Sequence, residues 1–230
     1  MKIGLLGYGS FGKQIHFLLK EIYSIEDGDI TIFDDVLQPS SSDRFTIKSF
    51  SSVFNDEYIH HQIYVCLGYH HLTLKQSLIN QLLEKEYSLP NLIHPSTNIS
   101  KYAIIGSGNI FFSGCNIDLF TTIGNGNIFY NQACIAHDVK IKDCNFFAPS
   151  VTICGNVNIN NANFFGARVA VANGIAIGDQ NKIGIGSVVT RNITSNISGV
   201  GFPFKTSTEN TSHKCSSAKK TFCSLISLSL

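Results

Sequence analysis

The chain has 230 residues, of which 43% are hydrophobic and only 14% charged, with a formal net charge of +1. That length holds one long domain or two short ones, and with no basic run beyond Lys219-Lys220 the chain carries no electrostatic footprint for nucleic acid. Seven cysteines, odd in number and without a Cys-x-x-Cys, argue against a disulfide scaffold or a zinc ribbon and point to free thiols in a reducing cytosol, while no stretch reaches the ~18 apolar residues of a membrane span.

Met1 to Leu6 runs straight into a strand pattern, without the long apolar core and cleavage region of a signal peptide. The strand, Lys2 to Leu6, is followed by Gly7-Tyr8-Gly9-Ser10-Phe11-Gly12. An amphipathic helix is expected over Gln14 to Ile22, with Ile15, Leu18, Leu19 and Ile22 inward. In a strand, Gly-x-Gly-x-x-Gly, helix arrangement the glycines allow a tight turn and close approach of a phosphate to the helix N-terminus. A second strand, Asp29 to Phe33, ends at Asp34-Asp35, where an acid is placed to accept hydrogen bonds from a ribose or sugar hydroxyl.

Asp34 to Asp43 reads as a turn-rich loop with a serine run, and Phe45 to Phe54 is ambiguous. Ile63 to Leu67 is a third strand ending at Gly68, and Leu72 to Tyr87 a helix with Leu74, Leu78, Leu82 and Leu83 on one side. Residues 1–93 thus predict a half-sized Rossmann-like unit that holds one nucleotide. It is too short for a full six-stranded dinucleotide domain, which argues against a nicotinamide oxidoreductase. A lone Gly-x-Gly-x-x-Gly also fits a purely structural turn.

From Thr97 to Val189 an apolar residue falls every six positions: Ile99, Ile105, Phe111, Ile117 and so on to Ile183 and Val189, without a break. A period of six is neither helix nor ordinary strand, and marks short strands stacked as a parallel β-helix. Phe111, Phe129, Phe147 and Phe165 recur every 18 residues, as do Asn109, Asn127, Asn145, Asn163 and Asn181. Three hexapeptides therefore make one coil of a triangular prism. The phenylalanines are expected to stack at about 4.8 Å, and the asparagines to form a corner ladder, where Asn tolerates left-handed φ. Small residues just after the apolar anchor, such as Gly106, Gly124, Gly166 and Gly184, fit sharp corners. The coils have no insertion for a lid, so function must sit on the outer surface or between prisms. So few charges leave flat faces that a closed homo-oligomer, a homotrimer for this shape, would cover.

The segment from Thr97 to Val189 holds a single histidine, His137, followed by Asp138. A neutral imidazole is a competent general base near pH 7, and a neighbouring carboxylate can orient it. Adjacent strand residues point oppositely, so this pair needs a turn. Equally, His137 could be a solvated corner residue. Arg191 to Lys205 reads as a connecting segment, Thr206 to Lys220 as a disordered polar tail, and Thr221 to Leu230 as a short apolar end.

Four stretches carry a family resemblance: Ile3-Gly4-Leu5-Leu6-Gly7-Tyr8-Gly9-Ser10-Phe11-Gly12, Ile93-His94-Pro95-Ser96, Ile135-Ala136-His137-Asp138 and Gly199-Val200-Gly201-Phe202-Pro203. With the hexapeptides, the chain to about Lys205 resembles the sugar O- or N-acetyltransferases of the sialic-acid and bacillosamine type, within the left-handed β-helix hexapeptide acyltransferases. The resemblance implies a Rossmann-like domain over 1–93, a left-handed β-helix over 94–205 and a tail over 206–230. It also implies acetyl-CoA as cosubstrate, no metal, a nucleotide-linked amino sugar as acceptor, and a cytoplasmic homotrimer with sites between subunits, serving surface-glycan or glycoprotein-glycan synthesis.

Carried across, His137 is the base and Asp138 sets its basicity. Gly9, Ser10, Asp34, Asp35 and Gly68 contact the nucleotide sugar, and Phe146, Gly155, Gly166 and Ala167 line the coenzyme groove. Phe146 stands where family members often have a second histidine near the thioester, and Pro149-Ser150 where they have Pro-Gly. That departure implies weaker coenzyme orientation or a repurposed relative. O-acetylation of a nonulosonic acid and a non-catalytic scaffold remain open as alternatives. A zinc hydratase on the same fold needs several histidines meeting across an interface, and His137 is alone in the repeats.

Overall fold

The computed structural model describes residues 2–37 and 45–206. The serine run, the tail beyond Thr206, and Cys215 and Cys223 lie outside the described residues.

The N-terminal unit is built from β1 (Ile3–Leu6), α1 (Ser10–Tyr23), β2 (Ile30–Phe33), β3 (Thr46–Lys48), β4 (Gln62–Val65) and α2 (Leu72–Glu84). All four strands are parallel, in the order β3-β2-β1-β4. Strands β1, β2 and β4 are almost wholly buried, as continuous apolar runs between helices should be. The ambiguous Phe45–Phe54 segment resolves into edge strand β3 and a short 3-10 turn, Phe50–Phe54.

Both helices differ from the sequence expectation. Helix α1 starts at Ser10, so the last residues of the glycine motif are already its first turn. Helix α2 ends at Glu84, and Glu86 just beyond takes a positive φ of 60°. Its inner face is Leu72, Lys75, Leu78, Ile79 and Leu82. That face is rotated from the leucine stripe, with Leu74 and Leu83 only half-buried.

The prism begins two residues before His94. Its first rung is Leu92–Ile93, which pairs with Ile110–Phe111. The first face continues through Ile128–Phe129, Phe146–Phe147, Phe164–Phe165 and Lys182–Ile183. The second face runs from Asn98–Ile99 through Cys134–Ile135 to Val188–Val189, and the third from Ile104–Ile105 through Lys140–Ile141 to Ala176–Ile177. The chain visits the faces in that order, so every residue lies above the one 18 positions earlier.

Inside, Phe111, Phe129, Phe147 and Phe165 are fully buried and stack with centroids 4.7, 4.7 and 4.8 Å apart, nearly parallel. The asparagine ladder is equally regular. Each Asn Oδ1 accepts the backbone N–H of the next, from Asn91 and Asn109 at 2.8 Å to Asn163 and Asn181 at 2.8 Å. Buried backbone donors at this corner thus have partners that the coil itself does not supply.

The ladder does not carry the left-handed conformation expected of it. Positive φ recurs every six residues from Gly108 to Gly186, one position earlier at the ladder corner, and is taken by Phe120, Asp138, Cys144 and Arg168 as well as by glycine. The small residues after the apolar anchors answer a different need. A β-carbon on Gly166 would lie 2.6 Å from the amide nitrogen of Ile185 in the next coil. There the demand is space, not backbone freedom.

The two units share one interface. Ile110, Ile128, Phe146 and Ala148 of the first face form a continuous apolar cluster with Ile3, Leu5, Ile15 and Leu72 of the N-terminal unit. The N-terminal unit therefore covers the first face of the prism.

Candidate active site

Strand order reverses between β1 and β4, and crevices for nucleotides open at the carboxyl ends of strands at such a switch point. A cavity of about 540 Å³ lies there. Its walls include Gly9 and Ser10 after β1, Asp34 after β2 and Gly68 after β4, all expected from the sequence. The three glycines of the motif have three separate reasons. Gly7 sits at φ +95°, a β-carbon on Gly12 would collide with the carbonyl of Gly7, and Gly9 has nothing within 4 Å of that position. Gly9 thus leaves the space into which a phosphate can approach the N-terminus of α1.

The two acids diverge. Asp34 lines the cavity, but its carboxylate accepts backbone N–H bonds from Tyr8 at 2.7 Å, Val36 at 2.8 Å and Leu37 at 3.0 Å. It fixes the loop and retains acceptor capacity for one more donor. Asp35 is not part of the wall; its carboxylate caps the turn at Phe50 through the backbone N–H, 2.8 Å away.

Phe146 closes the cavity from the prism side. It is buried on the first face, with ring centroids 5.5 Å from Tyr69, 5.2 Å from Tyr130 and 5.7 Å from Phe164. Tyr130, whose hydroxyl donates to Gln14 Oε1 at 2.9 Å, completes that aromatic side. The sequence reading missed Tyr8, Phe11, Tyr69 and Tyr130. Of these, only Tyr130 had a visible signal: it follows a Phe anchor on the face where the exterior positions are also apolar.

His137 and Asp138 lie elsewhere, at the corner between the second and third faces. The turn that adjacent residues require is there. Asp138 has φ +59°, and its Oδ2 lies 2.9 Å from His137 Nδ1. A carboxylate only accepts, so in the neutral ring Nδ1 carries the proton and Nε2 keeps its lone pair. Both side chains are about half exposed.

Gly155, one coil further, sits directly against the imidazole. A β-carbon there would lie 2.7 Å from Cε1 and 2.8 Å from Nε2. Gly166 and Ala167 are at a different corner, between the first and second faces. A triangle places the second–third corner opposite the first face. His137 and the cavity of one chain are therefore on opposite sides of the prism.

Among the described residues no three His, Cys, Asp or Glu side chains come together as a metal site, and no helix is long and apolar enough to cross a membrane. Cys66, Cys115, Cys134, Cys144 and Cys154 are free. Burial pushes the Cys66 and Cys144 thiols up to about 12 and Cys115 up to about 11, so none of these is a reactive thiolate near neutrality.

The fold defines a hexapeptide-repeat left-handed β-helix joined to a four-stranded parallel α/β unit, an architecture found in several solved structures. The model superposes on a single-residue variant of perosamine N-acetyltransferase from Caulobacter crescentus, solved with CoA and GDP-perosamine, with a TM-score of 0.81 and 21% identity; 91% of this chain and 98% of that one are covered. It superposes on the acetyltransferase domain of PglB from Neisseria gonorrhoeae, solved with acetyl coenzyme A, with a TM-score of 0.80 and 22% identity over 90% and 98% of the two chains. WeeI from Acinetobacter baumannii gives 0.78 and 21% over 90% and 100%. No family model and no curated protein matches the chain.

Proposed function

We propose that the protein moves an acetyl group from acetyl-coenzyme A to the amine of a nucleotide-linked amino sugar, with His137 as general base. The observation that carries this reading is the His137–Asp138 pair, held in a left-handed turn with Nε2 free and the ring resting on Gly155. The cavity at the β1/β4 switch point supports the nucleotide part of the acceptor. The ligands named for structures of the same fold (CoA, acetyl coenzyme A and GDP-perosamine) agree with both halves.

In this mechanism His137 Nε2 takes a proton from the sugar amine as its lone pair attacks the thioester carbonyl. The tetrahedral oxyanion collapses, the coenzyme thiolate leaves, and the imidazolium, stabilised by Asp138, returns the proton to sulfur. No acyl-enzyme is needed, because the thioester is already activated.

The opposed positions of cavity and base make a single chain insufficient. The reading is a homotrimer in which the cavity of one subunit faces His137 of the next. Exposed Tyr102, Ile104, Leu119 and Phe120, on and beside the His137 corner, provide apolar surface for such a contact; the rings of Tyr102 and Phe120 are 5.9 Å apart. The same packing would let Gly155 of one subunit and Gly166 and Ala167 of another line one coenzyme groove. Phe146, expected in the coenzyme groove, then belongs instead to the acceptor side of the site as an aromatic wall, because it lines the same cavity as Gly9, Ser10, Asp34 and Gly68. A cytoplasmic place in surface-glycan or glycoprotein-glycan synthesis fits this chemistry.

The test is free-thiol release from acetyl-coenzyme A with UDP-, dTDP-, GDP- and CMP-linked amino sugars, wild type beside His137→Ala. Turnover on one sugar, reduced about 10²–10⁴-fold in the variant, supports the reading. Turnover unchanged by the substitution would remove His137 as base. Absence of turnover on every sugar together with absence of coenzyme binding would favour a scaffold role.

A further inference from the structure

Behind the cavity wall lies a buried polar chain that the acetyl-transfer chemistry does not use. Tyr8, 9% exposed, lines the cavity and packs its ring against Phe45, with centroids 5.4 Å apart; its hydroxyl reaches His16 Nδ1, 2.5 Å away. His16, 4% exposed on α1, places Nε2 3.2 Å from Asp27 Oδ1, which also accepts from Lys20 Nζ at 2.6 Å. A carboxylate has no proton to give, so Nε2 donates to Asp27. In a neutral ring Nδ1 then accepts from the tyrosine hydroxyl. The tautomer is set by the two partners, and the chain runs in one direction from Tyr8 through His16 to Asp27.

We propose that Tyr8 is a specificity-determining wall of the nucleotide cavity and that His16 is the positioning residue that holds it there. This rests on the reading of the cavity as a nucleotide-sugar site. Tyr8 belongs to the ribose side, because its own amide donates to Asp34, the acid placed for a ribose hydroxyl. A free tyrosine ring here would have to be ordered by each incoming ligand, and the relay orders it beforehand.

The relay is sensitive to protonation. The groups facing His16 are Tyr8 from the glycine loop, Asp27 from the turn before β2 and Lys20 from its own helix; the rings of Phe17 and Phe45 supply the apolar remainder. Burial holds His16 below its ordinary value, against the opposing pull of Asp27. The ring is therefore neutral at pH 7. Protonation at lower pH turns Nδ1 into a donor, which can no longer accept from Tyr8.

The experiment is calorimetric titration with UDP, dTDP, GDP and CMP at about pH 5.5 and pH 8, on wild type, Tyr8→Phe, His16→Leu and His16→Gln. Glutamine can accept from Tyr8 and donate to Asp27 but does not titrate. The proposal expects Tyr8→Phe and His16→Leu to bind the preferred nucleotide about 3–10-fold more weakly than wild type at pH 8, the loss of one hydrogen bond, and His16→Gln to restore affinity. Wild type loses affinity as the pH falls through the depressed value of His16, and His16→Gln does not. Affinity unchanged in Tyr8→Phe and His16→Leu, with only the melting temperature lowered, would overturn it and leave the chain a structural clasp. No binding of any nucleotide to wild type would overturn the nucleotide reading itself.

Discussion

The imidazole of His137 rests on the bare Cα of Gly155, where an added β-carbon would come within 2.8 Å of Nε2. The contact joins two coils and fixes the direction in which the free nitrogen points. Gly155→Ala should leave the prism intact, since the φ of Gly155 is one an L-residue adopts readily, and should push the ring out of place. The expected outcome is a fall in kcat of about 10²-fold, the scale of a 1 Å misplacement, with the melting temperature nearly unchanged. Thiol-release kinetics beside a thermal melt check both.

Lys75 on α2 is wholly buried, with no hydrogen-bond partner for Nζ, and burial lowers it to about 8. Cys66 and Cys144 pull weakly the other way. The unfolded chain holds its proton up to about 10.5, so between those values the unfolded state binds more protons and stability rises with pH. Below about pH 8 the full cost of burying the charge is present. Lys75→Met should therefore stabilise the protein by about 3 kcal/mol at pH 7, with the gain fading toward pH 10.5. Urea unfolding of both proteins at the two pH values measures it, and an equal difference at both would contradict the buried charge.

Phe147 is fully buried and stacked on both sides, 4.7 Å from Phe129 and 4.8 Å from Phe165. Nothing in a coil without insertions can move in to fill its space. Phe147→Ala should cost about 3–5 kcal/mol, and Phe147→Leu markedly less. Denaturant midpoints of the two variants rank them.

The prism was legible because its core repeats one contact. A ring at Phe111 fixes where Phe129, Phe147 and Phe165 must lie, and an amide at Asn109 does the same for its ladder. Asn91 and Ile93 continue both periods backward, which the reading from Thr97 did not follow. The cavity was only half legible. The glycine motif and Asp34 announced themselves locally, and Asp35 looked equivalent until the backbone N–H of Phe50, from a segment with no clear pattern, claimed its carboxylate.

Tyr69 and Tyr130 could not be foreseen as one wall, because they meet only when the N-terminal unit docks on the first face. His16 and Asp27 are 11 residues apart with a helix end and a turn between them, and nothing periodic marks the pair. The separation of His137 from the cavity was implicit in the repeat. Counting faces from Phe146 back to Cys134 already puts the base at the opposite corner.

The measurement that most directly tests the shared site is subunit complementation. Gly9→Trp should fill the cavity without strain, since nothing lies within 4 Å of a β-carbon there, and His137→Ala removes the base; each variant alone should be inactive. Co-expressed in equal amounts, randomly mixed trimers would pair an intact cavity with a neighbour's intact His137 at about a quarter of the sites, and thiol release should return to that fraction of wild type. Mixed trimers with no restored activity would contradict the account and place cavity and base within one chain.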